Sequence, residues 1–315
     1  MEHPIPKDYH TVLLRHYGID AIEIKQTQGG WASLAYIVKS AEGISLFLKV
    51  YEKKRASTPK WTMMVDVYIP IVVWLGKKIL KDRIVEPILT SDGKSKCEDE
   101  NYIYILFEYI DGLTIGENQL TNQQVHNLSE IISDFHISAE QIPYPTSVIK
   151  EDFQMDFADQ LASFLETEVK DAELESILIG HFETLKLRLK QLTALVSVLK
   201  SKDLPFVLCH TDLHNWNMMQ TEKQLVLLDW EGLKMAPAEA DLFGLVEEPY
   251  FEQVMVSYQK VHKGYTVDED ALNFYIIRRK IEDIWECIEQ LLFDQPDDQE
   301  KREIIGNLEK ELSDL

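Results

Sequence analysis

Apolar and polar residues follow two different periods along the chain, and the period changes after the first third. Short runs at 44–51 and 101–112 are rich in β-branched and aromatic residues, which predicts strands, the second ending in a turn. Farther on, apolar positions recur at helical spacing over 120–140, 171–202 and 273–293. The pattern predicts a sheet-containing first part and a mostly helical second part.

A polar segment after the apolar run 205–209 carries the clearest chemical motif. The segment 210–217, HTDLHNWN, places Asp212 five residues before Asn217, and Asp229 follows a second apolar run. Kinase-like phosphotransferases use this arrangement for a base and for metal ligands. Asp212 suits proton acceptance from a hydroxyl, whereas Asn217 and Asp229 offer the hard oxygen atoms that Mg²⁺ prefers. The motif therefore predicts ATP chemistry.

A zinc site is the alternative for this segment, because His210 and His214 lie four residues apart. Zinc-binding helices with that spacing carry a Glu after the first His, and the run before His210 looks like a strand. We therefore expect His210 to brace the loop. The roles of His214, Trp216 and Trp230 remain open between packing and substrate contact.

The segment 210–217, Asp229 and the sequence APAEAD at 236–241 together resemble the aminoglycoside phosphotransferase family, a branch of the kinase-like fold. The resemblance covers nearly the whole chain and is greatest to its spectinomycin phosphotransferase subgroup. Four further segments share that resemblance: 16–20, 28–30, 207–210 and 279–284. In the family, an acid at the position of Asp241 holds the catalytic loop through backbone hydrogen bonds.

This resemblance implies an α+β, bilobal protein-kinase-like fold. A small antiparallel-sheet N-lobe would bind the nucleotide and include the hinge, over residues 1–112. A larger, mostly helical C-lobe would hold the catalytic loop and the acceptor site, over residues 113–315.

Two features of the first part would contact phosphates. Lys49 is a single charge in the strand 44–51, and the resemblance implies that it binds the α- and β-phosphates of ATP; the alternative is an edge-strand lysine that limits aggregation. Gly29 and Gly30 lie between strand-like segments, where backbone amides can approach phosphates. Alone, the two glycines equally indicate a hairpin turn.

The partner of Lys49 departs from the kinase pattern. Kinase-like enzymes pair this lysine with a helix glutamate, but the segment 56–75 contains no Glu, and Asp66 is its only acid. We therefore expect a pair between Lys49 and Asp66. Thr58 and Pro59 are typical of a helix start, and Pro70 is expected to kink the helix.

The strand 101–112 resembles the hinge between kinase lobes. The resemblance implies that the carbonyl of Glu108 and the N–H of Ile110 meet the adenine edge, with Phe107 lining the back of the pocket. An ordinary strand followed by a turn would have the same sequence.

Charge is distributed unevenly. Residues 1–112 hold 15 basic and 15 acidic side chains, whereas residues 113–315 hold 17 and 39, so the net charge of −22 belongs to the second part. Such a field attracts small cations and opposes nucleic acid and anionic membranes. General acidity for solubility is the alternative. Three scattered cysteines, no apolar leader and no long apolar stretch predict a cytoplasmic protein without a membrane anchor.

Together these features predict an enzyme that moves the γ-phosphoryl group of ATP, with Mg²⁺, to a hydroxyl of a small cationic acceptor. Resemblance makes an aminoglycoside or aminocyclitol antibiotic such as spectinomycin the leading acceptor, which would confer antibiotic resistance. One alternative is a metabolic kinase acting on choline, thiamine, homoserine or a thio-sugar. Another is a non-catalytic nucleotide-binding regulator. The oligomeric state is not predicted.

Overall fold

The first part of the chain is built on an antiparallel sheet. The computed structural model describes residues 8–27, 29, 33–167, 171–294 and 296–315. The large sheet contains β1 (Ala21–Thr27), β2 (Leu34–Ser40), β3 (Ser45–Glu52), β4 (Pro87–Ile88), β5 (Cys97–Glu98) and β6 (Tyr102–Glu108). Its strand order is β1-β2-β3-β6-β4, with β5 also paired to β6.

Alternation along β3 decides which side chains face the core. Leu46, Leu48 and Val50 are buried and pack with α1 (Asp8–Val12) in one hydrophobic cluster. Because successive side chains of a strand point to opposite faces, Lys49 lies on the other face of the sheet. It stands opposite Ile105 of β6 in the strand register.

Two short helices follow β3. They are α2 (Thr58–Thr62) and α3 (Val65–Leu75), so the helical segment predicted over 56–75 is interrupted near Met63 and Met64. Thr58 was expected to cap the helix, but α2 already begins at Thr58, with Ser57 as its N-cap and Pro59 in the first turn as predicted. Helix α3 continues through Pro70 to Leu75.

The second part is mostly helical, and its longest helix, α10, is its centre. The helices are α4 (Asn122–Ile137), α5 (Asp156–Leu165), α6 (Ala172–Leu178), α7 (Phe182–Leu199), α8 (Glu239–Leu242), α9 (Phe251–Val261), α10 (Glu269–Glu289) and α11 (Asp298–Ser313). Helix α10 packs against α5, α7, α8 and α11. Apolar residues at helical spacing on these elements form one continuous cluster.

Five short strands flank the polar loops in the described residues of the second part. They are β7 (Leu113–Thr114), β8 (Val207–Cys209), β9 (Met218–Gln220), β10 (Leu225–Leu227) and β11 (Lys234–Ala236). They form the sheets β10-β9-β7 and β11-β8. Because β6 is the last strand of the large sheet and β7 pairs with β9, we propose that the boundary between the lobes falls at Gly112.

Polar contacts join the two parts beside α10. The Lys60 ammonium on α2 lies 3.0 Å from Glu282 Oε1 on α10 and also pairs with Glu286. The backbone N–H of Ala56 donates to Asp294 Oδ1 over 2.7 Å. Within the described ranges, none of the helices is both long and apolar enough to cross a membrane.

Candidate active site

Asp212 lies in the loop that follows β8, where three side chains surround its carboxylate. Asn217 Nδ2 donates to Oδ2 over 2.8 Å, and Arg279 Nη1 donates to Oδ1 over 2.7 Å. His214 Nε2 lies 3.3 Å from Oδ1. Burial opposes ionisation of Asp212, but the hydrogen bond from His214 and the charge of Arg279 outweigh it and lower the pKa of this carboxyl. The carboxylate is therefore ionised at neutral pH.

His210 connects the Asp212 loop to the loop of Asp229. Its Nδ1 accepts from the backbone N–H of Asp212 at 3.3 Å, so the proton resides on Nε2, which donates to the carbonyl of Leu228 at 2.7 Å. The backbone N–H of Leu228 in turn donates to the Asn217 carbonyl over 2.9 Å. Both ring nitrogens of His210 are therefore bonded to backbone groups of the two loops.

Backbone strain coincides with these loops. Thr211 and Asp229 adopt positive φ angles of 71° and 59°, a region that non-glycine residues seldom occupy. A Cβ atom at Gly232 would lie 2.3 Å from Thr211 Oγ1, so only glycine fits there. Strained positions of this kind gather at functional sites, where the surrounding structure holds them in place.

Lys49 reaches across from the sheet and meets two carboxylates. Its ammonium pairs with Asp229 and lies 2.8 Å from Glu231 Oε1. Tyr51 donates a hydrogen bond from its hydroxyl to Glu231. Burial disfavours the charged form of Lys49, but Asp229 and Glu231 outweigh it and raise the pKa of the ammonium. Burial also disfavours the charged form of Glu231 and raises the pKa of its carboxyl, although the charge of Lys49 acts in the opposite direction. Lys49 is thus a charged, paired ammonium facing the loops.

The predicted pair between Lys49 and Asp66 was wrong. Asp66 has 62 % of its side chain exposed and pairs with Lys96 at 3.2 Å. Helix geometry explains the difference, because residues two apart point to opposite sides, and α3 turns Tyr68 inward instead. Glu231, which follows Asp229 by two residues, pairs with Lys49 in place of the helix acid.

Of the remaining predicted nucleotide-site residues, Phe107 lies near Lys49. The Phe107 ring centroid is 5.9 Å from the Lys49 ammonium, and β6 ends at Glu108, two residues before Ile110. A Cβ atom at Gly29 would lie 2.9 Å from the Cβ of Ala35, so this position requires glycine. Gly30 lies outside the described residues. Their contacts with adenine and phosphates remain predictions.

The donor set suits a hard cation. Asn217 directs its amide nitrogen at Asp212, so its carbonyl oxygen is the atom left for a ligand, and Asp229 adds a carboxylate. The backbone bond between Leu228 and Asn217 ties the two loops that carry these groups. Magnesium prefers such oxygen donors and takes one or two protein carboxylates beside phosphates and waters.

Two residues of the site escaped the motif analysis. Glu231 had one signal, an acid two residues after Asp229 in a chain whose helix lacks the usual Glu. Arg279 belonged to a segment of family resemblance, but its contact with Asp212 joins residues far apart in sequence, and no local pattern indicates it.

The chain matches a known protein family over the segment that contains Lys49, Asp212, Asn217 and Asp229. The sequence profile of the phosphotransferase enzyme family matches residues 23–275, which is well over half of the chain. No match was found among curated proteins.

Several solved structures resemble the chain over nearly its whole length. A spectinomycin phosphotransferase in complex with ADP and spectinomycin is 23% identical, with a TM-score of 0.74 over 98% of this chain and 95% of that chain. An amicoumacin kinase in complex with AMP-PNP is 14% identical, with a TM-score of 0.65 over 99% and 94%. A choline kinase from Streptococcus pneumoniae is 16% identical, with a TM-score of 0.62 over 98% and 99%. These likenesses confirm the predicted kinase-like α+β fold.

Proposed function

The chain belongs to the phosphotransferase enzyme family and is an ATP-dependent small-molecule phosphotransferase; on this premise we propose that it phosphorylates a hydroxyl of a small cationic acceptor. An aminoglycoside or aminocyclitol such as spectinomycin is the leading acceptor class. The observation that supports the proposal best is the convergence of the Asp212 loop, the Asp229 loop and Lys49, which are joined by direct contacts.

Asp212 is the proposed catalytic base. Phosphoryl transfer through a loose transition state demands positioning and charge neutralisation more than a strong base. An ionised carboxylate that Asn217 orients meets that demand. Asp212 would orient the acceptor hydroxyl and take its proton while the oxygen bonds to the γ-phosphorus and ADP departs.

The proposed nucleotide site combines the remaining predicted residues. Lys49 would bind the α- and β-phosphates, and the backbone of Gly29 and Gly30 would approach them. At the hinge, the adenine edge would meet the carbonyl of Glu108 and the N–H of Ile110. The Phe107 side chain would line the back of the pocket. Asn217 and Asp229 would hold Mg²⁺, which when bound neutralises charge on the phosphate oxygens.

The charge of the proposed acceptor follows from the acidity of the second part of the chain. Residues 113–315, which contain Asp212 and α10, hold 39 acidic and 17 basic side chains. An acceptor with amino groups complements such a charge better than an anionic one.

The function is tested by a mass-spectrometric screen. The purified protein is incubated with ATP and Mg²⁺ and with spectinomycin, several aminoglycosides, choline, thiamine and homoserine. A gain of one phosphate on an aminocyclitol or aminoglycoside, confined to active protein, supports the proposal. Transfer to choline, thiamine or homoserine would replace it with a metabolic kinase. Nucleotide binding without transfer to any acceptor, unaffected by Asp212→Asn, would indicate a non-catalytic regulator.

The pairing of Lys49 gives a separate prediction. Glu231→Gln should weaken ATP binding roughly tenfold. Loss of this carboxylate from a buried, hydrogen-bonded charge pair means that Lys49 is no longer held in a fixed orientation. Isothermal titration with a non-hydrolysable ATP analogue measures the effect. Asp66→Asn is the matched control and should leave affinity unchanged, since Asp66 pairs with Lys96 on the exposed side of α3. If Asp66→Asn weakened binding and Glu231→Gln did not, the assignment would be reversed.

A further inference from the structure

Arg279 links the proposed base to a second carboxylate. It projects from α10, donating from Nη1 to Asp212 Oδ1 over 2.7 Å and from Nε to Asp283 Oδ2 over 2.9 Å. The two acids thus hold the guanidinium on different edges, which fixes its plane. The contact with Asp212 joins the helical face of the acceptor cleft directly to the catalytic loop.

The contact limits which oxygen of Asp212 an incoming hydroxyl can use. Oδ1 receives Arg279 at 2.7 Å and has His214 at 3.3 Å, so both of its acceptor positions are engaged. Oδ2 receives Asn217 and keeps one acceptor position. Oδ1 is therefore closed to an acceptor hydroxyl while Arg279 remains in place.

We propose that Arg279 is a positioning residue that restrains Asp212 until an acceptor displaces it, and so limits ATP hydrolysis by water. The inference rests on the proposed function, because it assigns Asp212 to proton acceptance. An acceptor hydroxyl that bonds to Oδ1 has to displace Arg279, and Asp283 retains the guanidinium when it moves. Water lacks the further contacts with the α10 face that would offset this displacement.

Transfer to an acceptor and hydrolysis by water form and break the same kinds of bond. An O–H oxygen forms a bond to the γ-phosphorus, the bond from that phosphorus to the β,γ-bridging oxygen breaks, and ADP leaves. The O–H proton passes to Asp212. With an acceptor the product is a phosphate ester, and with water it is inorganic phosphate. Arg279 is inferred to favour the first reaction over the second.

The test measures ADP release by the full chain with ATP and Mg²⁺ and without any acceptor. Arg279→Gln should raise this hydrolysis roughly tenfold, as expected when a restrained general base is released. Arg279→Lys keeps the positive charge and should stay closer to the wild type. The double variant with Asp212→Asn should lose the added hydrolysis. Lys280→Gln, whose side chain pairs with Glu311 on α11 instead, is the matched control and should match the wild type.

Asp283→Asn separates restraint from simple loosening of the cleft. It removes the negative charge of the second partner of Arg279 but leaves the contact with Asp212, so hydrolysis should not rise. Equal increases in Arg279→Gln and Asp283→Asn would overturn the inference, as would a fall or no change in Arg279→Gln. If the Arg279→Gln protein does not fold, Arg279→Met is used in its place, because Met keeps the packing of the aliphatic part of the arginine side chain.

Failure of this inference is distinguishable from failure of the proposed function. Wild-type protein that binds no ATP would overturn both. Wild-type protein that binds ATP and phosphorylates an acceptor, with no rise in hydrolysis in Arg279→Gln, would overturn only the role of Arg279. Faster, Asp212-dependent hydrolysis in that variant would support the role even before the natural acceptor is known.

Discussion

Replacing Asp212 with Asn is expected to lower the rate of phosphoryl transfer roughly 100- to 10,000-fold, the usual contribution of a general base. The amide keeps the shape of the carboxylate but cannot take up the hydroxyl proton. Binding of the nucleotide should persist, because Asp212 contacts Arg279, His214 and Asn217 rather than Lys49. The rate is measured with the acceptor identified by mass spectrometry, and nucleotide affinity by titration calorimetry.

A suitable control for this variant is Glu183→Gln on α7. The Glu183 side chain is 93% exposed, so its loss of charge should leave both rate and affinity at wild-type values. Retention of more than about a tenth of the wild-type rate by Asp212→Asn would contradict the assignment of the base. Loss of nucleotide binding together with activity would instead point to a disrupted site.

Local patterns predicted the elements that present the motifs. The strand expected over 44–51 is β3, and the apolar run before His210 ends in β8. In both, neighbouring residues of one short segment decide the structure, through β-propensity and burial. The family match also confirms the predicted phosphotransferase class.

Interruptions of helices were harder to predict than their presence. The periodic run 171–202 consists of two helices, α6 and α7, separated near Gly180. Apolar spacing continues across the break because both helices bury residues in the same core. Periodicity reports which side chains are buried, whereas an interruption depends on how the two segments pack.

The spacing of motif residues could not predict contacts between segments that are far apart in sequence. The expected Lys49 partner, Asp66, was chosen because kinase-like folds use a helix acid, yet the carboxylate comes from Glu231 in the Asp229 loop. The need of Lys49 for a carboxylate partner was predicted correctly, but the residue that provides the carboxylate was not. A buried ammonium needs a carboxylate, and either segment can supply one once the fold brings both close.

Asp241 should matter mainly for stability. It is fully buried, and its carboxylate accepts from the backbone N–H groups of His210, at 3.1 Å, and Thr211, at 2.6 Å. His136 Nε2 lies 2.8 Å from the same carboxylate, and the His136 Nδ1 atom is 2.8 Å from the Tyr258 hydroxyl. Asp241 thus joins the start of the catalytic loop to α4, and His136 extends the connection to α9.

Replacing Asp241 with Ala is expected to lower the free energy of unfolding by about 3–5 kcal/mol, because it leaves two backbone N–H groups and His136 buried without their partner. The melting temperature should fall by on the order of 5–10 °C. Tyr258→Phe, the graded control, removes only the outer bond to His136 and should cost about 1 kcal/mol. Differential scanning calorimetry measures both. An Asp241→Ala protein with wild-type melting but lost activity would mean that Asp241 acts on the chemistry and not on the loop.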